Sequence, residues 1–345
     1  MRKIRFLSCA GVLATLLLAG CGETPNPTPT PTPTPTPVPQ VEYAEVFLLC
    51  GQSNMEGNTK YSGLDSLFTT WGYNDYDAVR DGMPEVKTTY MGVGYGQLTE
   101  DGKNLHASNT ENKLEPKFLN TKVGMGKDDN CMGPELGCAY GLRKEGLATE
   151  EHPVYFVKAS FSGSGFAQSG TDWNWKIGGK EKGLYQNFVK AYLQKSLDLI
   201  AQESGFTPRL RALLWHQGES DSDAAKIPTY AENLNELLGA IRTDFADYGY
   251  DGEGSNIALV DGMIYDANGN PWGGQNAVDL NTVKLNNANA DEKRYVVNTS
   301  SVLEGGSALK PGNAGGDSMH YTTEDSFKLG MQYAQVIIDN DLLAE

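Results

Sequence analysis

The chain has 345 residues, 39% of them hydrophobic, with 44 acidic and 28 basic side chains and a net charge of −16. Such acidity argues against nucleic acid as a partner and against anionic lipids or polyanions as substrates, while it suits a neutral polysaccharide. With four histidines and no Cys-x-x-Cys spacing, there is no zinc signature.

Arg2, Lys3 and Arg5 make a positive start, and an apolar or small-residue run over 10–19 leads to Gly20 and Cys21. So short a run does not span a bilayer and reads as a removable export signal over residues 1–20. Its Leu-Ala-Gly-Cys ending resembles a bacterial lipoprotein signal, in which the cysteine is lipidated and begins the mature protein. The plainer alternative is a secretory signal with a chance cysteine. The expectation is an exported lipoprotein at the cell surface or in the periplasm, touching membrane only through Cys21. Loss of the three cations would take the net charge from −16 to −19.

Residues 21–40 hold the lipidation site and a Thr-Pro alternation from Thr24 to Gln40. Proline at every second position favours extended polyproline II, a spacer reaching about 50 Å at roughly 3 Å per residue.

Residues 41–345 read as one α/β domain. Apolar runs of strand length fall at 46–50, 154–159, 210–215, 257–260 and 295–297. Their lack of polar alternation is the mark of parallel strands covered on both faces. Between them, stripes at spacings of three and four predict helices: Leu184 to Ile200, Tyr230 to Ile241 and Phe327 to Ile338. Alternating strand and helix indicates a doubly wound parallel sheet. The stretch 58–130, rich in Gly, Asn, Asp, Lys and Tyr, has no sustained period and reads as an irregular insertion shaping a cleft. Neither Gly92, Gly94 and Gly96 nor the Asp266, Asn268, Asn270 turn has the context of a phosphate or calcium loop. An oxidising compartment would allow one disulfide, and Cys131–Cys138 is the nearest pair; Cys50 reads as a buried small residue.

Sites in such sheets form beyond the carboxyl ends of the strands. There the first strand runs into Gly51, Gln52, Ser53, Asn54, Met55, Glu56 and Gly57, and the third into Trp215, His216, Gln217, Gly218 and Glu219. Asp317 and His320 stand just before the last helix. A serine at a strand-to-helix turn is where a nucleophile is exposed; it needs a base, and the base an acid to hold its tautomer.

These blocks resemble the SGNH (GDSL) hydrolase superfamily, and within it the carbohydrate esterases that include sialate O-acetylesterases and family 6 acetylxylan esterases. Gly133, Pro134 and Glu135, opening a helix, match a further block in order. The resemblance implies a flavodoxin-like three-layer α/β/α sandwich with a mainly five-stranded parallel sheet. It implies a carbohydrate O-acetylesterase acting on acetylated sugar without metal or cofactor. Ser53 would be the nucleophile and His320 the general base. The Ser53 N–H, a glycine N–H and the Gln217 amide would hold the oxyanion. Gly163 is favoured over Gly165 as that glycine, where the usual Gly-Gly pair reads Ser162, Gly163. Asp317 and Glu219 compete as the acid, with Asp317 favoured.

Gln52, Asn54, His216 and Trp173 are candidate substrate contacts. For His216 the alternatives are a second base and a structural role, the latter or substrate contact being favoured because it abuts Gln217 at a strand end; for Trp173 and Trp175 the alternative is core packing. His106 and His152 read as surface or insertion residues. Two rivals to the whole reading are a lipid or aryl esterase on the same scaffold and a non-catalytic sugar-binding lipoprotein.

Overall fold

The structure, a computed structural model, describes residues 42–94, 97–99, 102–166, 173–178, 182–268, 273–313 and 317–344. The export signal, Cys21 and the Thr-Pro spacer lie outside these residues.

Strand β1 (Tyr43–Gly51) runs into the one-turn helix α1 (Ser53–Glu56), then β2 (Thr59–Lys60), α2 (Leu64–Trp71) and α3 (Tyr76–Asp81). Next come β3 (Met83–Val93), β4 (His106–Ala107), β5 (Leu119–Thr121), β6 (Cys131–Met132), α4 (Pro134–Lys144) and β7 (Val154–Phe161). The second half alternates α5 (Lys190–Ser204), β8 (Thr207–His216), α6 (Tyr230–Asp244), β9 (Ala258–Gly262), α7 (Gln275–Ala288) and β10 (Arg294–Val297). A hairpin of β11 (Pro311–Asn313) and β12 (Asp317–Tyr321) precedes the last helix, α8 (Thr323–Asp339).

All five strands expected from apolar runs form. The sheet order is β10-β9-β8-β1-β7-β3, every pair parallel, with β4 and β5 antiparallel to β3 at the edge. The described residues therefore hold six parallel strands, one more than expected. The extra one, β3, is 11 residues long and lies inside the stretch read as irregular. That reading is corrected: 58–130 also supplies α2 and α3.

Successive side chains of a strand face opposite ways. Val46, Leu48 and Cys50 pack against Leu193 and Leu197 of α5, Leu234 and Leu237 of α6 and Leu280 of α7. Phe47 and Leu49 pack against Leu136 and Tyr140 of α4 and Phe327 and Ala334 of α8. With both faces covered, the expected three-layer sandwich is complete. The expected disulfide is not formed: Cys131 and Cys138 are buried free thiols, Cys138 facing the α4–α8 core and Cys131 in β6. Cys50 is buried as read.

Register sets the platform for the site. Gly51 of β1 pairs with both Ser160 and His216, while Ser160 pairs with Gly92 and His216 with Gly262. The carboxyl ends of five parallel strands thus align in one row, and the chemistry-bearing loops leave from it.

Candidate active site

Ser53 is the first residue of α1, directly beyond β1, and is 8% exposed. As a first-turn residue its backbone N–H has no partner within the helix and points out of the helix end. The turn is fixed on its inner side, where Gln52 N–H donates to His216 O at 3.1 Å. Asn54, the next residue, accepts from Tyr321 N–H at 3.3 Å and donates to Glu219 Oε1 at 2.7 Å. Ser53 and His320 are therefore each one residue from a direct link between α1 and β12.

His320 Nδ1 lies 2.6 Å from Asp317 Oδ2, and Asp317 Oδ1 accepts from Met319 N–H at 2.8 Å. Partial burial alone would raise the Asp317 carboxyl, but the bonds from His320 and Met319 outweigh it and hold it below its ordinary value. An ionised carboxylate only accepts, so Nδ1 carries the proton and Nε2 is left as the basic nitrogen. Position is secured from behind: Thr322 caps α8, its hydroxyl accepting from Asp325 N–H at 3.0 Å.

Glu219, the competing acid, does not bond His320. Its carboxyl is buried, accepts from Asn54 and is raised by desolvation. The geometry gives the His320 partnership to Asp317.

Gly163 sits in the turn after β7 at φ +72°, a left-handed position that favours glycine, and Ser164 N–H closes the turn onto Phe161 O at 3.3 Å. Asn58 Nδ2 reaches both Ser53 O at 3.0 Å and Ser162 Oγ at 2.9 Å, which sets this turn beside Ser53. Gly165 is drawn away: its carbonyl accepts from Trp175 N–H at 3.0 Å, and a Cβ there would lie 2.6 Å from Asp221 Oδ2.

Gln217 is brought to the same strand end, but its amide is engaged. Its Nε2 lies 3.1 Å from Gln52 Oε1, 2.8 Å from Asp221 Oδ2 and 3.3 Å from Ser164 O, and the residue is fully buried. Its two N–H groups are shared among these three protein acceptors, so in this arrangement the amide braces the strand end.

Three of the four expected substrate contacts are enclosed by protein in this structure. Gln52 is buried, its Oε1 accepting from Gln217 and from Ser220 N–H at 3.1 Å. Asn54 is buried between β12 and Glu219. His216 is fully buried, and desolvation, helped by Lys284, pushes its pKa down to about 3, so it is neutral and structural. Trp175 is core, its Nε1–H donating to Ser164 Oγ at 2.7 Å. Trp173 alone is partly exposed, its ring 5.0 Å from Phe188 and 4.7 Å from Lys182 Nζ.

Several residues at the site were not anticipated from sequence. Asp221 accepts from Phe166 N–H at 2.8 Å as well as from Gln217, joining the loops after β7 and β8. Lys284 is buried and bridges Asp261, Gln217 O and Gly262 O at 2.6, 2.7 and 2.9 Å. Glu56 is also buried; desolvation raises it to about 7 against bonds from Ser162 and Asn58 and the charge of Lys158. Of these, only Glu56 and Asp221 carried a signal, as acids next to the two polar blocks.

A serine at the β1–α1 turn and an Asp–His pair entering the last helix, on a doubly wound parallel sheet, define a serine ester hydrolase of the SGNH fold. The family model described as carbohydrate esterase, sialic acid-specific acetylesterase matches residues 43–339, and the chain belongs to that family. It is a carbohydrate O-acetylesterase.

Two of the similar solved structures, NanS and the Xanthomonas citri enzyme, share the fold. NanS is 15% identical with a TM-score of 0.55, covering 88% of this chain and 98% of its own. A carbohydrate acetylesterase from Xanthomonas citri is 14% identical with a TM-score of 0.51, covering 85% of this chain and 55% of its own. A protein from Arabidopsis thaliana is 18% identical with a TM-score of 0.48, covering 86% and 98%. No curated protein matches the chain by sequence.

Proposed function

We propose that Ser53 attacks the carbonyl of a sugar-borne acetyl ester while His320 Nε2 takes its proton. The tetrahedral oxyanion is held by the Ser53 N–H and the Gly163 turn. Collapse breaks the bond to the sugar oxygen, which leaves with the proton from His320, and acetyl stays on Ser53. Water then attacks by the same route, releasing acetate and restoring the serine. Asp317 keeps the imidazole in the working tautomer and stabilises its cation. The carrying observation is the 2.6 Å contact between His320 Nδ1 and Asp317 Oδ2, which leaves Nε2 for Ser53.

The half-buried Trp173 is our candidate for stacking on a sugar ring. The substrate we favour is a neutral acetylated glycan, in keeping with the acidic chain. We place the enzyme outside the cytoplasm, lipidated on Cys21 and held off the membrane by its Thr-Pro spacer.

Acetate release from a panel of acetylated glycans, including xylan and sialic acid, tests the activity. Ser53→Ala should remove at least about a thousandfold of the rate without unfolding the protein; a well-folded, active variant would refute the assignment. Cys21→Ser should move the enzyme from the membrane fraction to the soluble one, and retention on the membrane would refute the anchor.

A further inference from the structure

Glu56 ends the single turn of α1 that Ser53 begins, and its carboxylate crosses to another loop. Glu56 Oε2 accepts from Ser162 N–H at 3.1 Å, from the Ser162 hydroxyl, and from Asn58 Nδ2 at 3.2 Å. Asn58 closes the ring by its bonds to Ser162 Oγ and Ser53 O. The backbone carbonyl of Glu56 is held as well, by Lys158 Nζ at 3.1 Å, and Lys158 pairs with buried Glu135 at 2.9 Å.

The fold makes room for this carboxyl. A Cβ on Gly92, in the neighbouring strand β3, would lie 2.6 Å from Glu56 Oε1. Both Glu56 and Asn58 are buried, so water does not compete for these bonds. The Glu56 carboxyl takes no part in the acyl-transfer steps themselves. It is too deep for substrate and apart from the Asp317–His320 pair.

We propose that Glu56 is a positioning residue for acyl transfer: through Ser162 it locks the turn carrying Gly163 against the turn carrying Ser53. The proposal rests on Ser53 being the nucleophile and on the Gly163 turn facing the oxyanion. Donors to a developing charge act only when preset to a fraction of an ångström, and misplacement costs rate more than binding.

A double-mutant cycle on the full chain tests it, using kcat and KM for an acetyl ester with Ser53→Ala as the inactive reference. Glu56→Ala and Ser162→Ala should each lower kcat about tenfold or more with KM within about twofold. The double variant should cost no more than the worse single, since both cut one link. Glu56→Gln, which keeps an oxygen acceptor for Ser162, should recover most of the lost rate.

Multiplying losses, or losses confined to KM, would overturn the proposal. If Glu56→Ala does not fold, Ser162→Ala decides, and unchanged kcat in that folded variant overturns it. An active Ser53→Ala would instead overturn the nucleophile assignment itself.

Discussion

Asp317 Oδ2 and His320 Nδ1 stand 2.6 Å apart, joined across three residues of one short strand. Because β12 is tied to α1 through Asn54 and to α8 through the Thr322 cap, the pair is held by elements on both sides. An imidazole and a carboxylate on one strand keep their contact through the strand's own backbone.

Asp317→Asn should therefore lower kcat by about a thousandfold or more, by disfavouring the working tautomer and the imidazolium. Glu219→Gln keeps an oxygen for Asn54 and should cost less than about tenfold, because Glu219 acts on His320 through space and not through a hydrogen bond. Steady-state kinetics on both folded variants decides. A collapse at Glu219 with a minor effect at Asp317 would reverse the two roles.

Gln217→Ala should act on stability before it acts on rate. Its removal strips an N–H donor from the buried Asp221 carboxyl and from Gln52 Oε1. Each acceptor keeps a second donor, Phe166 N–H and Ser220 N–H respectively, so the loss is of hydrogen bonds at about 0.5–1.5 kcal/mol each, and denaturant unfolding should show it. An unchanged unfolding midpoint with a kcat fall of about a hundredfold would return Gln217 to the oxyanion.

Five strands could be read directly because nothing in them but packing decides their conformation. Strand β3 could not, since its Pro84, Glu85, Lys87, Thr88 and Thr89 look like loop. It is a core strand because its polar groups find partners far along the chain: Thr88 meets Thr121 at 2.7 Å, and Thr89 meets Tyr192 at 2.6 Å. Local patterning carries no trace of such long-range satisfaction. The same holds at the site. Ser53, Asp317 and His320 were legible as a motif with a chemical logic. Gln52, Asn54 and His216 read as candidate substrate contacts because a polar residue at a strand end is ambiguous until its long-range partners, Ser220, Tyr321 and Glu219 among them, are known.

Two glycine substitutions should have opposite signs. Helices α4 and α8 approach so closely that a Cβ on Gly330 would lie 2.1 Å from Pro134 O. Gly330→Ala must force the helices apart and should cost at least about 2 kcal/mol. Gly239, exposed on α6, has nothing within 4 Å of its would-be Cβ, and Gly239→Ala should stabilise by about 0.5–1 kcal/mol. Thermal unfolding of both variants measures the difference. A Gly330→Ala protein as stable as the parent would contradict this packing of α4 on α8.

Stability should carry a pH signature from Glu56. Its carboxyl is raised from 4.5 to about 7 in the fold, chiefly by burial. Between those values the native state keeps a proton that the unfolded chain has lost. The native state then binds more protons, so the contribution of Glu56 to stability is fully present below 4.5, falls as pH rises through this window and is lost above about 7. A shift of this size corresponds to roughly 3 kcal/mol across the window. His216, pushed down to about 3, works in the opposite direction, and Asp261, raised to about 6, in the same one. Both persist in Glu56→Gln, so the difference between the two unfolding curves isolates Glu56. That difference should change by up to about 3 kcal/mol between pH 4.5 and 8, the parent losing stability relative to the glutamine variant. Parallel curves would mean that Glu56 is ionised in the fold throughout, with Lys158 and Ser162 outweighing its burial.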